Sequence, residues 1–470
     1  MKVIIINPPP WQNKEYIREG RCMQTKSSWA ALWMPLSLAY VAGFLRKNGH
    51  QVQLIDCIGD KISLGSLLKR IEKFSPQLAI INTAFPSIKG DLKTIASIKN
   101  AFPQIKTLAI GMYPTLLEKK VLEELPQLDM AISGEPEWVC LKVANSLEKG
   151  NSLDKIKGLV YKKNSKIFVN PPQNFQENNL DELPFPARDL LNNENYRLPT
   201  TGEKFTLLSV GRGCPFNCIF CTANIYYGKI FRKRKIESII EELKECVEKY
   251  NIKNFLFWGE NFTLDQTYGE KICDAILESN LKINWATTSR VDTLNERLLK
   301  KMKKAGCILL GLGIESIDQE ILNNAKKEAN LTQIKKAINL TKKIGLETVG
   351  HFIFGLPGDT KKTAQKTIKF ACQSGLTWAH FYCAIPYPKT ELGKIAEERN
   401  WILSKDFSQY DLTKSVMRNE VLTPKEIKKL RDTAYLKFYF RPKVIFRALK
   451  EVKSIKSLLS SLNFLNWIKS

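Results

Sequence analysis

The chain has 470 residues, 44% of them apolar and 25% charged, with a formal net charge of +25. That length is too great for one ordinary core, so two or three domains are expected, and the composition is that of a globular protein. Eleven cysteines with no regular framework of spacings argue against a disulfide scaffold and for a reduced, cytoplasmic setting. No apolar run reaches the roughly 18 residues of a membrane-spanning helix, and MKVIIINPPPWQ breaks at prolines too early for a signal peptide. The positive charge favours an acidic partner, whether nucleic acid, an anionic membrane surface or an anionic ligand. Scattered lysines on a solvated surface are the competing account.

Residues 1–150 alternate strand and helix. Val3–Ile6 is a short continuous apolar run, as a buried parallel strand should be, and it stops at Asn7-Pro8-Pro9-Pro10. Residues 36–48 carry helical periodicity and end at Gly49. Strands follow at 52–55, 78–81, 107–110 and 130–132, separated by helices at 64–74, 88–102 and 136–148. Such β-α units make a doubly wound parallel sheet, whose ligands bind at the carboxyl ends of the strands. No G-x-G-x-x-G follows the first strand, which argues against a nicotinamide cofactor. There is no D-x-H-x-x-G either, and His50 falls at a turn.

Residues 151–205 read as a connector. Residues 158–170 suggest a β-hairpin turning near Asn164-Ser165, followed by the proline-rich LPFPARDLL from Leu183. Residues 206–387 alternate again, with strands at 206–210, 254–258, 283–288, 307–314, 347–354 and 378–385. Six such units predict a partial (β/α)6 barrel with polar groups at the strand ends. Residues 388–470 read as helical and basic: Pro424–Ser470 holds twelve Lys/Arg against three Asp/Glu, interleaved with Tyr435, Phe438, Tyr439, Phe440, Phe446, Phe464 and Trp467. Such a tail either lies on an anionic membrane or nucleic acid, or packs its aromatics on the barrel.

The first barrel strand delivers SVGRGCPFNCIFC, which places Cys214, Cys218 and Cys221 in C-x-x-x-C-x-x-C spacing. Thiolates suit zinc or iron–sulfur clusters. Zinc sites usually show two cysteine pairs, or one pair with two histidines, and neither follows here. A [4Fe–4S] cluster takes four thiolates as a rule, so three leave one iron open to a small molecule. Cys246, Cys273 and Cys307 fall where buried apolar residues belong.

GCPFNCIFC after a strand resembles the signature of radical S-adenosylmethionine (SAM) enzymes. The resemblance implies that Cys214, Cys218 and Cys221 hold three irons while SAM chelates the fourth, and that SAM cleavage yields a 5′-deoxyadenosyl radical. It implies SAM contacts at Phe220, at Gly259, Glu260 and Asn261 after the second strand, and at Ser289 and Arg290 after the third. Further contacts are implied at Glu315 in Gly313-Ile314-Glu315-Ser316, and at Ile353 and Gly355 in the FIFGLPGD stretch. Ile385-Pro386-Tyr387-Pro388 resembles the end of the sixth strand, with Lys389 where glycine is usual. Tyr226, Tyr227 and Tyr387 lie near strand ends, where packing is their commoner role.

Residues 1–150 are similar to the cobalamin-binding domain of one branch of that family, and the tail to its hopanoid-pathway and anaerobic magnesium-protoporphyrin ester cyclase members. The resemblance implies cobalamin bound without a histidine lower ligand. Its expected contacts are Asn7, Pro8, Pro9, Leu36, Ser37, Thr83, Ala84, Gly111, Tyr113, Pro114, Gly134 and Glu135, with Gly111-Met112 departing from a more usual Gly-Pro-His. The expected activity is C-methylation of an unactivated carbon. The alternatives are cyclisation, ring contraction or oxidation without methyl transfer, and a tRNA methylthiotransferase whose second cluster would draw on Cys22, Cys57 and Cys140. The expected partners are a small-molecule or lipid-like substrate and an external flavodoxin or ferredoxin. A membrane surface contact through the tail is a further expectation, and nucleic acid is not expected.

Overall fold

The computed structural model describes residues 1–20, 22–26, 31–199, 201–442 and 444. The first sheet is built from β1 (Lys2–Asn7), β4 (Gln51–Asp56), β5 (Leu78–Thr83), β6 (Lys106–Gly111), β7 (Met130–Ile132), β8 (Leu159–Lys163) and β9 (Lys166–Val169). Its order is β4-β1-β5-β6-β7-β8-β9, parallel as far as β7. The continuous apolar run of β1 is explained by burial on both faces. Val3 and Ile5 enter one core with the helices Leu36–Lys47 and Pro136–Lys149, and Ile4 and Ile6 enter another with Leu64–Phe74 and Ile88–Ala101. The connector hairpin extends this sheet, β8 pairing antiparallel with β7, and it turns at Asn164 and Ser165, both in the left-handed region.

Between β1 and the first helix stands a second hairpin, β2 (Tyr16–Glu19) with β3 (Cys22–Thr25), that the sequence reading did not anticipate. It covers the carboxyl edge of the first sheet. Arg18 reaches the crevice between β1 and β5, donating to Asn7 Oδ1 (3.0 Å), the Pro8 carbonyl (3.2 Å), Ser87 Oγ (2.9 Å) and Asp91 Oδ1 (2.8 Å). Strand order reverses at that point, so a buried guanidinium holds the switch point of the sheet.

The second sheet is β10 (Phe205–Ser209), β13 (Asn254–Trp258), β14 (Asn284–Arg290), β15 (Cys307–Glu315), β16 (Glu347–Phe354) and β17 (Trp378–Cys383), all parallel and in sequence order. A short pair, β11 (Gly211–Arg212) with β12 (Arg232–Lys233), brackets the cysteine loop. This is the expected six-unit open barrel. Its last strand would present an unpaired edge, and the helix Pro424–Tyr439 covers it. Tyr435 Oη accepts from the Phe381 amide (3.2 Å), and Tyr439 Oη accepts from the Ala379 amide (3.3 Å) and donates to the Ala379 carbonyl (2.9 Å). Of the tail aromatics, Tyr435, Phe438 and Tyr439 are therefore packed on the barrel and Phe440 is exposed, while Phe446, Phe464 and Trp467 lie outside the described residues. Among the described residues no helix is long and apolar enough to cross a membrane.

The two sheets share cores. Trp258, Leu207 and Phe205 of the barrel join Leu36 and Leu38, and Tyr226, Tyr227, Tyr387 and Tyr410 join Phe85 and Tyr113. The connector lies on the helix Leu36–Lys47 at Gly43, where a Cβ would come within 2.9 Å of the Phe185 carbonyl. Lys389, standing where glycine is usual, adopts φ 63° and keeps the turn. Its ammonium donates to the Thr115 carbonyl (2.9 Å) and pairs with Glu118, which ties the barrel rim to the β6 loop.

Candidate active site

Gly213 has φ 98° and no room for a Cβ, which would lie 2.0 Å from the Ile230 carbonyl. That close passage turns the chain from β11 into the cysteine loop, and the Cys214 amide donates to the Gly228 carbonyl (3.1 Å). Cys214, Cys218 and Cys221 are all partly exposed, whereas Cys246, Cys273 and Cys307 are buried in the barrel core. The loop thus brings three partly exposed thiols together. Cys57 and Cys140 are buried in the cores on opposite faces of the first sheet, so they cannot share a cluster.

The inner wall of the barrel is open and polar. Along β16 and β17 the outward residues Phe352, Phe354, Phe381 and Cys383 are buried, while the inward His351, Ile353, His380 and Tyr382 are partly exposed. His351 Nδ1 lies 3.0 Å from Tyr382 Oη, and the two rings stack with the ring of His380. Desolvation inside the barrel, with His351 and Arg431 nearby, lowers the His380 pKa.

The residues expected around SAM are only partly brought together. Phe220 and Ile353, both partly exposed, pack on one small apolar cluster that includes Ile219 and Leu356. Asn261 Oδ1 accepts from the Arg290 amide (3.3 Å) and from the hydroxyls of Thr263 and Thr293, and its buried Nδ2 has no protein partner. Gly259 is buried beside Val210, and Glu260 next to it is partly exposed. Ser289 shares the helix-side face of Trp285 and Thr287, so the pleat turns it away from the inner wall; its hydroxyl is buried without a protein partner. Gly355 has φ 86°, its amide donates to Asp359 Oδ2 (2.9 Å), and a Cβ would meet Ile427 at 2.7 Å. It serves the turn and the covering helix.

Arg290 faces the cysteines. Its Nη1 lies 3.6 Å from Cys218 Sγ, and its guanidinium stacks on Phe216 at 3.6 Å. Nε and Nη2 bind Asp292 (2.9 and 2.8 Å), and Nη2 also donates to the Lys327 carbonyl. Glu315 has φ 63° and pairs with the buried Lys327 ammonium at 2.8 Å. Burial alone would lower the Lys327 pKa, but Glu315 and the Cys218 sulfur reverse that and hold it raised. Lys327 was not singled out from the sequence. It sits in Lys326-Lys327-Glu328, which reads as surface charge, and only the fold turns one of these lysines inward.

At the first sheet the expected corrin contacts are bonded to other residues of the protein. Asn7 Nδ2 donates to Asp56 Oδ1 (2.7 Å), Ser37 donates to Glu19, Thr83 Oγ1 donates to the Ile110 carbonyl (2.9 Å), and the Ala84 amide donates to Asp91 Oδ2 (3.1 Å). Tyr113 Oη donates to Glu124 Oε2 (2.7 Å) and its ring meets Phe85 and Phe407; Leu36 and Pro114 are buried. A Cβ on Gly111 would strike the Thr83 carbonyl at 2.4 Å, and the Gly134 amide donates to Thr115 Oγ1 (3.1 Å). Glu135 accepts from Arg232 and from Asn178 Nδ2 (3.0 Å), and Arg212 bonds Glu137 (3.1 and 2.7 Å). These residues clamp the first sheet to the strand pair around the cysteine loop. His50 binds Asn145 and the N-terminus at the amino edge of the sheet, remote from the strand ends.

The radical SAM superfamily profile matches residues 208–371, and the B12-binding-domain profile matches residues 27–142. The chain belongs to the radical SAM superfamily, in the branch with a B12-binding domain. An uncharacterized methyltransferase of Pyrococcus horikoshii is 36% identical over 89% of this chain and 90% of its own length. The anaerobic magnesium-protoporphyrin IX monomethyl ester cyclase of Cereibacter sphaeroides is 26% identical, covering 89% of this chain and 68% of the relative. The solved cobalamin-dependent radical SAM enzyme OxsB shares the fold, with a TM-score of 0.75 and 15% identity, over 100% of this chain and 71% of that one. Membership makes the chain an enzyme and brings a [4Fe–4S] cluster, SAM and cobalamin as its cofactors.

The fit of the residues to those groups differs between the two domains. Three partly exposed thiols, the apolar side chains of Phe220 and Ile353 on one cluster, and the unpartnered Asn261 amide suit a cluster with a zwitterionic nucleoside beside it. At the first sheet the loops face the barrel, where a corrin would lie. Their named side chains are bonded within the protein, and no step is routed through the corrin.

Proposed function

We propose that the enzyme methylates an unactivated carbon of a small or lipid-like substrate held in the barrel lumen. The observation that carries this is the position of Cys214, Cys218 and Cys221, partly exposed in the loop that follows β10 and β11, with Arg290 of the barrel sheet held on Cys218. In this reading the three thiolates bind the cluster, which with SAM supplies a 5′-deoxyadenosyl radical. Asn261 and Glu260 orient the SAM amino group, and Phe220 and Ile353 flank its adenine. The inner wall of His351, His380 and Tyr382 orients the substrate through hydrogen bonds. The strand-end loops of the first sheet shield the radical from water, because Trp258 and the tyrosines 226, 227 and 387 are packed against them. An external flavodoxin or ferredoxin supplies the electron, and the protein works in the cytoplasm, with contact to an anionic membrane through the basic tail.

The family likeness supports methylation through the Pyrococcus relative. The cyclase relative supports the second reading, rearrangement or oxidation of a carbon skeleton without methyl transfer. Anaerobic reconstitution with iron, sulfide, cobalamin, SAM and reductant, followed by mass spectrometry, separates them. Methylation gives S-adenosylhomocysteine together with 5′-deoxyadenosine and methionine. Deoxyadenosine and methionine without homocysteine would refute methylation and leave the second reading.

A further inference from the structure

Arg290 stands where the family resemblance places a SAM contact, yet its hydrogen bonds go elsewhere. A guanidinium has five N–H donors. Here one goes to Asp292 Oδ1, two leave Nη2 for Asp292 Oδ2 and the Lys327 carbonyl, and one lies toward Cys218 Sγ at 3.6 Å. At least four of the five are therefore directed at the protein. The ring of Phe216, inside the cysteine loop, lies 3.6 Å from the guanidinium carbon, so cation–π stacking fixes the plane of the group against that loop. Asp292 locks it from the other side, and the side chain is only 6% exposed. The geometry is that of a rigid, permanently charged donor held on one cysteine sulfur.

Hydrogen bonds to the sulfurs, local charge and solvent exposure set the reduction potential of an iron–sulfur cluster. An arginine cannot lose its charge in this environment. Adding one electron makes the cluster and its three thiolates more negative by one unit, so a fixed cation on a ligand sulfur favours the reduced form. Reduction by a low-potential donor protein is a one-electron transfer that needs no other reactant.

We propose that Arg290 is a positioning residue of the cluster, holding the cysteine loop through Phe216 and raising the potential at which the cluster is reduced through its bond to the Cys218 sulfur. This rests on the reading of Cys214, Cys218 and Cys221 as cluster ligands. Lys327, paired with Glu315 and bonded through its carbonyl to Arg290 Nη2, places a second buried cation next to Arg290.

The test is an EPR-monitored redox titration of the anaerobically reconstituted full-length protein, with iron content and SAM affinity by equilibrium dialysis measured alongside. Arg290→Met should keep its iron, bind SAM within about twofold of wild type, and lower the ratio of reduced to oxidised cluster at a fixed potential by about tenfold, about 59 mV for a one-electron couple. Arg290→Lys should recover at least half of that shift. Asp292→Asn removes an anion while leaving the guanidinium charged, and should move the midpoint the opposite way. An unchanged midpoint with SAM affinity lost in Arg290→Met would overturn the proposal and make Arg290 a SAM ligand. Should Arg290→Met fail to fold, a midpoint in Asp292→Asn that stays put or falls would overturn it equally. A wild-type protein that takes up no [4Fe–4S] cluster would defeat the ligand reading itself, and is told apart by its iron content.

Discussion

Glu135 separates a ligand contact from a structural clamp. The family resemblance makes it a corrin contact, but the structure bonds it to Arg232 and to Asn178, with Arg212 at 3.6 Å and already held by Glu137. The Glu135 side chain is 0% exposed and that of Arg232 10%. Replacing Glu135 by Gln leaves the Arg232 charge buried without its counter-charge, and breaking a buried pair from one side costs about 3–5 kcal/mol. The lower end applies, because Arg232 keeps two acceptors, the carbonyls of Asn178 and Tyr227, each at 3.1 Å. A loss of about 3 kcal/mol is roughly a hundredfold in the folding equilibrium. It lowers the melting temperature by about 6–12 °C for a domain of this size. Circular dichroism melting of the cluster-free Glu135→Gln protein reads this directly. Because Arg232 and Arg212 bracket the cysteine loop, the variant should also hold less iron after reconstitution. A melting temperature equal to wild type, with cobalamin uptake alone reduced, would refute the clamp and restore Glu135 as a corrin contact.

Three further outcomes follow from the same geometry. Alanine at Cys214, Cys218 or Cys221 should each remove the cluster and abolish 5′-deoxyadenosine formation, whereas Cys273→Ala, in the barrel core, should keep both; iron analysis and nucleoside mass spectrometry check this. Tyr439→Phe removes the hydroxyl that serves both the amide and the carbonyl of Ala379, and an unsatisfied buried group costs about 1–3 kcal/mol, readable as a lowered denaturation midpoint. Glu19 accepts from the amide and hydroxyl of Ser37 at the start of a helix, and burial, only partly offset by those bonds, pushes its carboxyl up to about 7. With the folded pKa raised, the native state binds the extra proton, so stability is fully present below about pH 4.5 and is lost as pH rises through about 7. Melting at pH 5 and pH 8 should show this slope in wild type and a flatter one in Glu19→Gln; equal slopes would refute it.

What could be read from the sequence had a local cause. The strands of both sheets were visible because each is a continuous apolar or alternating run, and Cys214, Cys218 and Cys221 because their ligand count is set by spacing alone. Phe220, in the cysteine loop, and Ile353, near the end of its strand, lie against one apolar cluster because each sits at the carboxyl edge of the barrel sheet. The hairpin at Tyr16–Glu19 and Cys22–Thr25 is not legible because YIREGRCMQT has no clean two-residue alternation, and what holds it is the Arg18 network to Asn7 and Pro8 and to the distant Ser87 and Asp91. Ser289 and Gly355 were assigned by motif, but the pleat and a left-handed turn give them to packing. Lys327 and the capping of β17 by Tyr435 and Tyr439 depend wholly on long-range contacts, on which periodicity carries no information.

The network around Arg212 bears on how the two domains work together. Arg212 is two residues before Cys214, and Arg232 pairs with it across β11 and β12. Both guanidiniums end on carboxylates at the start of the helix Pro136–Lys149, so the loop that carries the thiols is anchored in the first domain and not only in the barrel. Lys389 makes a second tie, from the end of the barrel to the β6 loop at Thr115 and Glu118. A motion that opened the carboxyl edge of the first sheet would therefore strain the cysteine loop and the barrel rim together. Loading of the first domain and order at the cysteine loop are then expected to be coupled, which predicts that cobalamin raises the iron retained by wild type but has less effect in Glu135→Gln. Equal gains in the two proteins would show that the domains load independently and that the clamp is only structural.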